Sequence, residues 1–408
     1  MVKHANYWFE TCPTRHNVTS GLVRNTDVLI IGGGIAGIQL LYQLILSGVT
    51  NTYLVEESTV GYHASGRSSG QMVLRGNQLF HEMPEKDAIE YLDFISENNR
   101  RFINGLKNSR FNSDLRQTGG LRLAINKEEL EKLKLECAFI AKHKPKLSCQ
   151  MLTAGELKHI VPNSKFLGGM FLPTEATFNP YKVVNGIREL VEQKGNRVLT
   201  NTQVDKVTKN DDGSFSVSIR HKGTIKTKKI VYCTNAYTRE LVPELKDILI
   251  PFRGQMVATE ELKDSVLQTF PAMSMTCNDC SEYFRLTPRR LIVGGMRQDI
   301  RGQQLDIIDD GEISPAVYDK IKTFVGKQLP TMKNVKFSHT WSGIMCQTPD
   351  GLPLIGELSK NAFISAGFNG YGYAHAVQAS MILKDLIKDG TSNHPGVNLF
   401  NPGRFANV

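Results

Sequence analysis

The chain has 408 residues, 40% of them hydrophobic, and a formal net charge of +9. That length supports two domains or one large composite domain with a sizeable core. The basic residues are scattered, with no run of five like charges and no aromatic–basic interleaving, so a nucleic-acid surface is not expected despite a pI near 9.1.

Residues 1–26 are polar and irregular, with Tyr7-Trp8 and Pro13, and read as an N-terminal arm. The opening MVKHANYWFE lacks the apolar segment of a signal peptide. Asn17-Val18-Thr19 matches a glycosylation sequon, but nothing else points to secretion. Seven cysteines, an odd number spread over a long chain, predict reduced thiols and a cytoplasmic setting.

Next comes Asp27 to Glu56, the stretch with the strongest signal. An apolar β run, Val28 to Ile31, leads into Gly32-x-Gly34-x-x-Gly37, then a helical stretch, then a second strand, Thr52 to Val55. This is a βαβ unit carrying a dinucleotide fingerprint. Gly32 permits the tight turn, Gly34 lets backbone approach a pyrophosphate, and Gly37 lets helix pack on strand. The helix N-terminus, opening at Ile35 and Ala36, offers free N–H groups and partial positive charge to that anion. Glu56 follows Gly37 by 19 residues, where a carboxylate accepts from ribose hydroxyls. The same region is the most hydrophobic of the chain, but its glycines exclude a membrane span, so no integral membrane protein is expected.

Further on, the turn-rich segment Gly61 to Gly70 lets backbone come close to a ligand. Residues 84–107 and Lys127 to His143 read as helices, separated by a strand over 118–125. Thr153 opens a short helix with Glu156 three residues on. Asn179-Pro180 opens another over 181–194. Strands are expected over 197–208, 214–221 and 225–232, forming a meander, then over 250–259, 282–287 and 290–296. The stretch 313–327 is helical. The chain ends with a strand over 362–365, a glycine loop from Gly367 to Gly372, and a helix from Tyr373 to Lys388. Cys277-x-x-Cys280 has no second pair and no histidine nearby, so no metal site is expected.

Five segments resemble the D-amino-acid oxidase superfamily of FAD-dependent amine and amino-acid oxidoreductases over almost the full length. They are Glu56 with Gly61 to Arg67; Val204 in its strand; Val231-Tyr-Cys-Thr-Asn-Ala-Tyr237; Thr348 to Gly356 with Ala366 to Gly372; and, more weakly, Pro251 to Gln255. Tyr7-Trp8, the run from Ser65 to Gln71 and the strand end at Thr234 to Tyr237 look most like the γ-glutamylputrescine oxidoreductase branch. The resemblance implies an α/β plus α+β fold: a Rossmann-type FAD-binding domain (1–80, 155–245 and 336–408) and a discontinuous, mainly antiparallel substrate domain (81–154 and 246–335). It implies FAD held by Gly32, Gly34, Ile35, Ala36, Gly37, Glu56, Glu57, Ser65, Gly66, Arg67, Ser68, Ser69, Gln71, Val204, Thr234, Asn235, Gly343, Gly367, Asn369, Gly370, Tyr371 and Gly372. The glycine loop is expected to bring N–H groups and a second helix N-terminus to the flavin.

Several positions depart from the family. Its covalent members attach flavin through a cysteine at the position of Gly343, so FAD is expected to be non-covalent, with Cys346 an ordinary thiol. Where glycine oxidase-like members place a carboxylate-binding arginine, this chain has Met345; Arg253, Arg285 and Arg297 are the replacements to consider. The family's loop histidine is Tyr371 here. His63 and His375 read as satisfied structural histidines. Met345, Tyr371, Arg253 and Arg285 are thus substrate-pocket candidates, with no acid or base assigned. The implied reaction is oxidation of a C–N bond in a small-molecule amine or amino acid, with hydride passing to flavin N5 and the imine hydrolysing. Electrons then pass to O2 or a quinone. A D-amino-acid dehydrogenase type and a flavin-binding scaffold with little turnover are the alternatives.

Overall fold

In the computed structural model, which describes residues 2–13, 21–195 and 197–405, the fingerprint folds as a βαβ unit. Strand Asn25–Ile31 runs parallel to Thr52–Val55, and helix Ile35–Leu46 lies between them in sequence. The helix is apolar on most sides because it is buried on most sides, against the last helix, Ala376–Asp389, and against Pro180–Glu192. Gly37 is what lets it sit so close: a Cβ there would stand 2.0 Å from the Gly32 carbonyl oxygen.

This unit belongs to an eight-stranded sheet. Its path runs Val204–Lys209, Phe215–Ile219, Gly223–Tyr232, Asn25–Ile31, Thr52–Val55 and Val198–Leu199, with Ala362–Ala366 paired to Gly223–Tyr232 and Leu354–Ser359 beyond it. A second, nine-stranded sheet runs from Lys3–His4 through Phe337–Gln347, Ile250–Thr259, Leu291–Gly294, Glu282–Leu286, Ser274–Cys277, Gly120–Ala124 and Gly168–Leu172 to Gln150–Thr153. Most of its pairings are antiparallel, and helix Pro315–Gln328 covers one face. The fold class expected from sequence is the one observed.

Details differ. The expected strand over 197–208 is two strands. Asn201 turns left-handed at φ 50°, and the chain leaves the sheet so that Thr202 N–H can donate to the Glu56 carbonyl. This detour delivers Val204 beside Glu56. The last helix starts at Ala376, after a 3-10 turn over Gly372–Ala374. Within residues 2–13 the arm is structured: Lys3–His4 pairs with the nine-stranded sheet, and Tyr7–Thr11 is a 3-10 helix capped by Asn6. The sequon lies outside the described residues. Helix Lys127–His143 and the capping box of Thr153 with Glu156 stand where expected.

Strand Phe337–Gln347 has no counterpart in the sequence reading, and it links the two halves. Its period-two alternation sends Ile344 and Cys346 into the core of the cofactor sheet, and Gly343 and Met345 the other way. Both it and Gly168–Leu172 run in the nine-stranded sheet, although the sequence division puts them in the cofactor half. At the junction Trp8, Tyr181, Met256, Ala258, Ile292 and Trp341 form a separate buried cluster. Among the described residues no helix is long and apolar enough to cross a membrane.

Candidate active site

Three cavities run in series from one sheet to the other. The first, about 210 Å³, opens at the carboxyl ends of Asn25–Ile31, Thr52–Val55 and Gly223–Tyr232. Gly32, Gly34, Glu56, Glu57, Ser65, Val204, Thr234 and Asn235 line it. Gly32 adopts φ +107°, and a Cβ there would meet the Cys233 carbonyl oxygen at 2.6 Å, so only glycine fits this turn. Gly34 is the helix N-cap and has no side chain to cap with; the Ile35 N–H donates instead to Ser65 Oγ at 2.9 Å. Glu56 is buried. One carboxylate oxygen accepts from Gly33 N–H at 2.7 Å and the other from Ser58 N–H at 2.9 Å. Burial raises its pKa, and these two amide bonds oppose the rise. Each oxygen keeps further acceptor capacity.

His63 closes the outer side. Its Nε2 lies 2.7 Å from Glu57 Oε1 and its Nδ1 2.9 Å from Asp310 Oδ2. Both partners are carboxylates, so both ring nitrogens donate and the imidazole is charged. Burial opposes that charge, but the bonds to Asp310 and Glu57 outweigh it and push the pKa up to about 9. Arg67 holds the same segment, donating to the Asp310 and Ser342 carbonyls. A raised folded-state pKa gives stability that is whole below the unfolded value, about 6.5, and is lost as pH rises through 9. The thermal midpoint is therefore expected to fall between these pH values, and His63→Gln to flatten that part of the profile. An unchanged slope in the variant would show that the bridge carries no stability.

The second cavity, about 120 Å³, shares Gly34, Ala64, Ser65, Cys233 and Asn235 with the first. Ile35, Ala36, Arg67, Ser68, Gly343, Gly370 and Gly372 also line it. The third, about 380 Å³, shares Ser68, Gly254, Tyr283, Met345, Gly370 and Tyr373 with the second. Ser69, Gln71, Asn369, Tyr371 and Arg297 complete part of its wall. Met345 stands at the boundary: its Cε would be 2.4 Å from a Cβ on Gly254, and its Sδ 3.3 Å from one on Gly370. The room between the second and third cavities exists because both positions are glycine.

The sequence candidates separate clearly. Arg253 and Arg285 do not reach any of the three cavities. Arg253 is held by the Gln304 side chain and lies near Glu312. Arg285 is buried beneath Trp8, donating to the carbonyls of Ser69 and Phe178. Each is a tie between segments. Arg297 alone of the three lines the third cavity, with its guanidinium 4.1 Å from the Phe252 ring centroid and one bond to the Gln303 carbonyl. No carboxylate pairs with it among the described residues. Gly37, Gly66 and Gly367 also miss the cavities. Gly37 serves helix packing, and Gly367 N–H donates to Asn235 Oδ1 at 3.0 Å.

The last helix does not present bare amides to the site. Its Val377 and Gln378 N–H groups both donate to buried Asn98 Oδ1, at 2.9 and 3.2 Å, and Asn98 in turn donates to the Tyr373 carbonyl. His375 is buried and neutral. Its Nδ1–H donates to the Tyr371 carbonyl, its Nε2 accepts from Tyr91 O–H, and burial lowers its pKa to about 4. It steadies the glycine loop from behind. The CxxC lies on the hairpin tip that walls the third cavity, where Asn278, Asp279 and Cys280 are left-handed in succession (φ 50°, 55° and 61°). Such strain gathers at functional sites. Nothing in the sequence except Asn278-Asp279 marked this turn, and Tyr283, which follows it, also went unmarked. No group of three or more metal-ligating side chains occurs among the described residues.

A βαβ fingerprint, an acidic strand end and a channel leading to an antiparallel sheet define a flavin-dependent oxidoreductase by fold and site. Residues 27–386 match the family described as DAO, FAD dependent oxidoreductase, and the chain belongs to that family. It is similar to gamma-glutamylputrescine oxidoreductase of Escherichia coli, 25% identical over 372 residues that span 89% of this chain and 83% of that protein. It is also similar to glycine oxidase of Bacillus subtilis, 22% identical over 93% of this chain and 98% of that one. The crystal structure of L-proline dehydrogenase from P. horikoshii shares its fold, with a TM-score of 0.81 at 22% identity over 94% of this chain and 99% of that one.

Proposed function

We propose that this chain oxidises the C–N bond of a small-molecule amine or amino acid, using FAD held without a covalent bond. One observation carries the reading. The three cavities form a single file, joined by shared walls, from a pyrophosphate-type helix N-terminus to an aromatic chamber on the second sheet. That shape suits a long dinucleotide whose reactive end meets a substrate. Glycines at 32, 34, 254, 343 and 370 keep the file open, since a Cβ at Gly34 would already stand 3.0 Å from Ser65 Oγ.

In this reading Gly32, Gly34 and Ser65 hold the pyrophosphate, and the Ser65 hydroxyl proton remains available to an anion. Glu56 and Val204 hold the adenosine end. Ser68, Gly343, Gly370 and Met345 line the flavin, and the residues of the nine-stranded sheet form the substrate half. Bound FAD supplies the acceptor for the two electrons of C–N oxidation. Cys346 faces the core of the cofactor sheet and lines none of the cavities, which supports non-covalent binding.

The third cavity receives the substrate. Arg297 offers an uncommitted cation to a carboxylate. Burial pushes the phenols of Tyr283 and Tyr371 up to about 12, so both stay protonated near neutral pH. They can donate hydrogen bonds and do not serve as bases there. O2 or a quinone would serve as the electron acceptor. Anaerobic reduction of the flavin-loaded protein by an amine is the test of the reading as a whole.

A further inference from the structure

Residues 65–69 wall all three cavities: Ser65 the first and second, Ser68 the second and third, Ser69 the third. Five successive carbonyls of this loop are each taken by a side-chain donor. Tyr373 O–H donates to Ser65 O at 2.8 Å, Asn6 Nδ2 to Gly66 O at 2.9 Å, and Trp341 Nε1 to Arg67 O at 2.8 Å. Trp8 Nε1 donates to Ser68 O at 2.9 Å and Arg285 Nε to Ser69 O at 2.6 Å. All five donors are buried. They come from four separate segments, two of them from the N-terminal arm, and they include both tryptophans of the chain. Ala64–Arg67 is a single helical turn, too short to satisfy its own carbonyls, and in this buried position side chains take them in fixed directions.

Planarity makes this more than anchoring. In a trans peptide the C=O and N–H point opposite ways. Trp341 holds the Arg67 carbonyl at the end of the helical turn Ala64–Arg67. Trp8 holds the Ser68 carbonyl, which turns the Ser69 N–H the opposite way. The Ser69 N–H has no hydrogen-bond partner among the described residues, and Ser69 lines the third cavity.

We propose that the N-terminal arm belongs to the active site: Trp8 and Asn6, with Trp341, are positioning residues that lock residues 65–69 into a fixed edge for the bound cofactor. This rests on FAD occupying the second cavity, as argued above. Trp8→Phe keeps an aromatic filler in the junction cluster and removes the donor. Ile292→Val trims the same cluster, where Ile292 is fully buried, and removes no hydrogen-bond donor. FAD release on dilution of the holoprotein, followed by free-flavin fluorescence, is expected to show about tenfold weaker binding for Trp8→Phe. Its bound-flavin visible bands are expected to shift. Ile292→Val should lower the thermal midpoint while leaving FAD release and the bands at wild-type values. If Trp8→Phe does not fold, Asn6→Ala reads the neighbouring carbonyl in the same way. Wild-type FAD release and unshifted bands in the arm variants would overturn the inference, as would equal changes in Ile292→Val. A wild-type protein that binds no FAD would instead overturn the functional reading beneath it.

Discussion

Gly37→Ala is expected to strip the protein of FAD. The added methyl would sit 2.0 Å from the Gly32 carbonyl oxygen and 3.3 Å from Ile30 Cγ2. The first contact is with backbone, so no side chain can swing aside. Helix Ile35–Leu46 or the glycine turn must move, and overpacking of this kind costs about 1–3 kcal/mol. Alanine returns up to about 1 kcal/mol of helix propensity, so the loss of fold stability is modest. The larger loss is in geometry. A displaced turn no longer aligns Gly32, Gly34 and the helix N-terminus, and a misplacement near 1 Å costs on the order of a hundredfold in a preorganised site. Flavin content of the purified variant and its thermal midpoint read the two effects separately. Gly34→Ala is milder for the fold, because its methyl meets only the Ser65 hydroxyl, at 3.0 Å, but it enters the cavity itself and is expected to weaken FAD by direct contact, with the thermal midpoint little changed. A Gly37→Ala protein that retains full FAD would mean that the close helix approach does not shape the site.

The second large effect is at Arg297. This side chain lines the third cavity, stacks on Phe252 and has no carboxylate partner among the described residues. Burial lowers its pKa, yet a guanidinium stays charged at neutral pH. A charge-assisted hydrogen bond to a substrate carboxylate is worth about 1.5–3 kcal/mol, or about 10–150-fold in affinity. Arg297→Gln is therefore expected to raise KM for a carboxylate-bearing amine by about that factor with kcat little changed, the signature of lost uniform binding. An amine of the same length without the carboxylate should be indifferent to the change. Equal losses for both substrates would show that Arg297 shapes the cavity and does not grip a carboxylate. The same pair of substrates distinguishes an amino-acid enzyme from an amine enzyme, which Met345 alone left open.

The cofactor half was legible because local chemistry dictates it. Gly32 needs a positive φ, Gly37 a close approach, and Glu56 a fixed distance from the helix, and each leaves a mark in the sequence. Helix starts were legible for the same kind of reason: Thr153 with Glu156 and Asn179 with Pro180 are caps that write their own boundaries. The second sheet was harder. Strand Phe337–Gln347 is paired on both sides and carries His339, Ser342 and Gly343 among its apolar residues, so its pattern does not alternate cleanly. Arg253, Arg285 and Arg297 are indistinguishable as letters, and only the fold shows that two are structural ties. The arm looked irregular because its purpose is non-local. Asn6 and Trp8 spend their donors on a loop 60 residues away, and no periodicity records that. The last helix starts at Ala376 and not at Tyr373, and Asn98, from a distant helix, takes its Val377 and Gln378 amides, which no local pattern records.

The account stands or falls on whether an amine delivers electrons to FAD in this protein. The direct measurement is the visible spectrum of the purified, flavin-loaded protein under anaerobic conditions as γ-glutamyl amines, polyamines, N-methyl amino acids and D-amino acids are added in turn. The account predicts that at least one of these bleaches the flavin bands, and that admission of O2 or a quinone restores them. Protein that binds no FAD, or bound flavin that dithionite reduces while no amine or amino acid does, would contradict it.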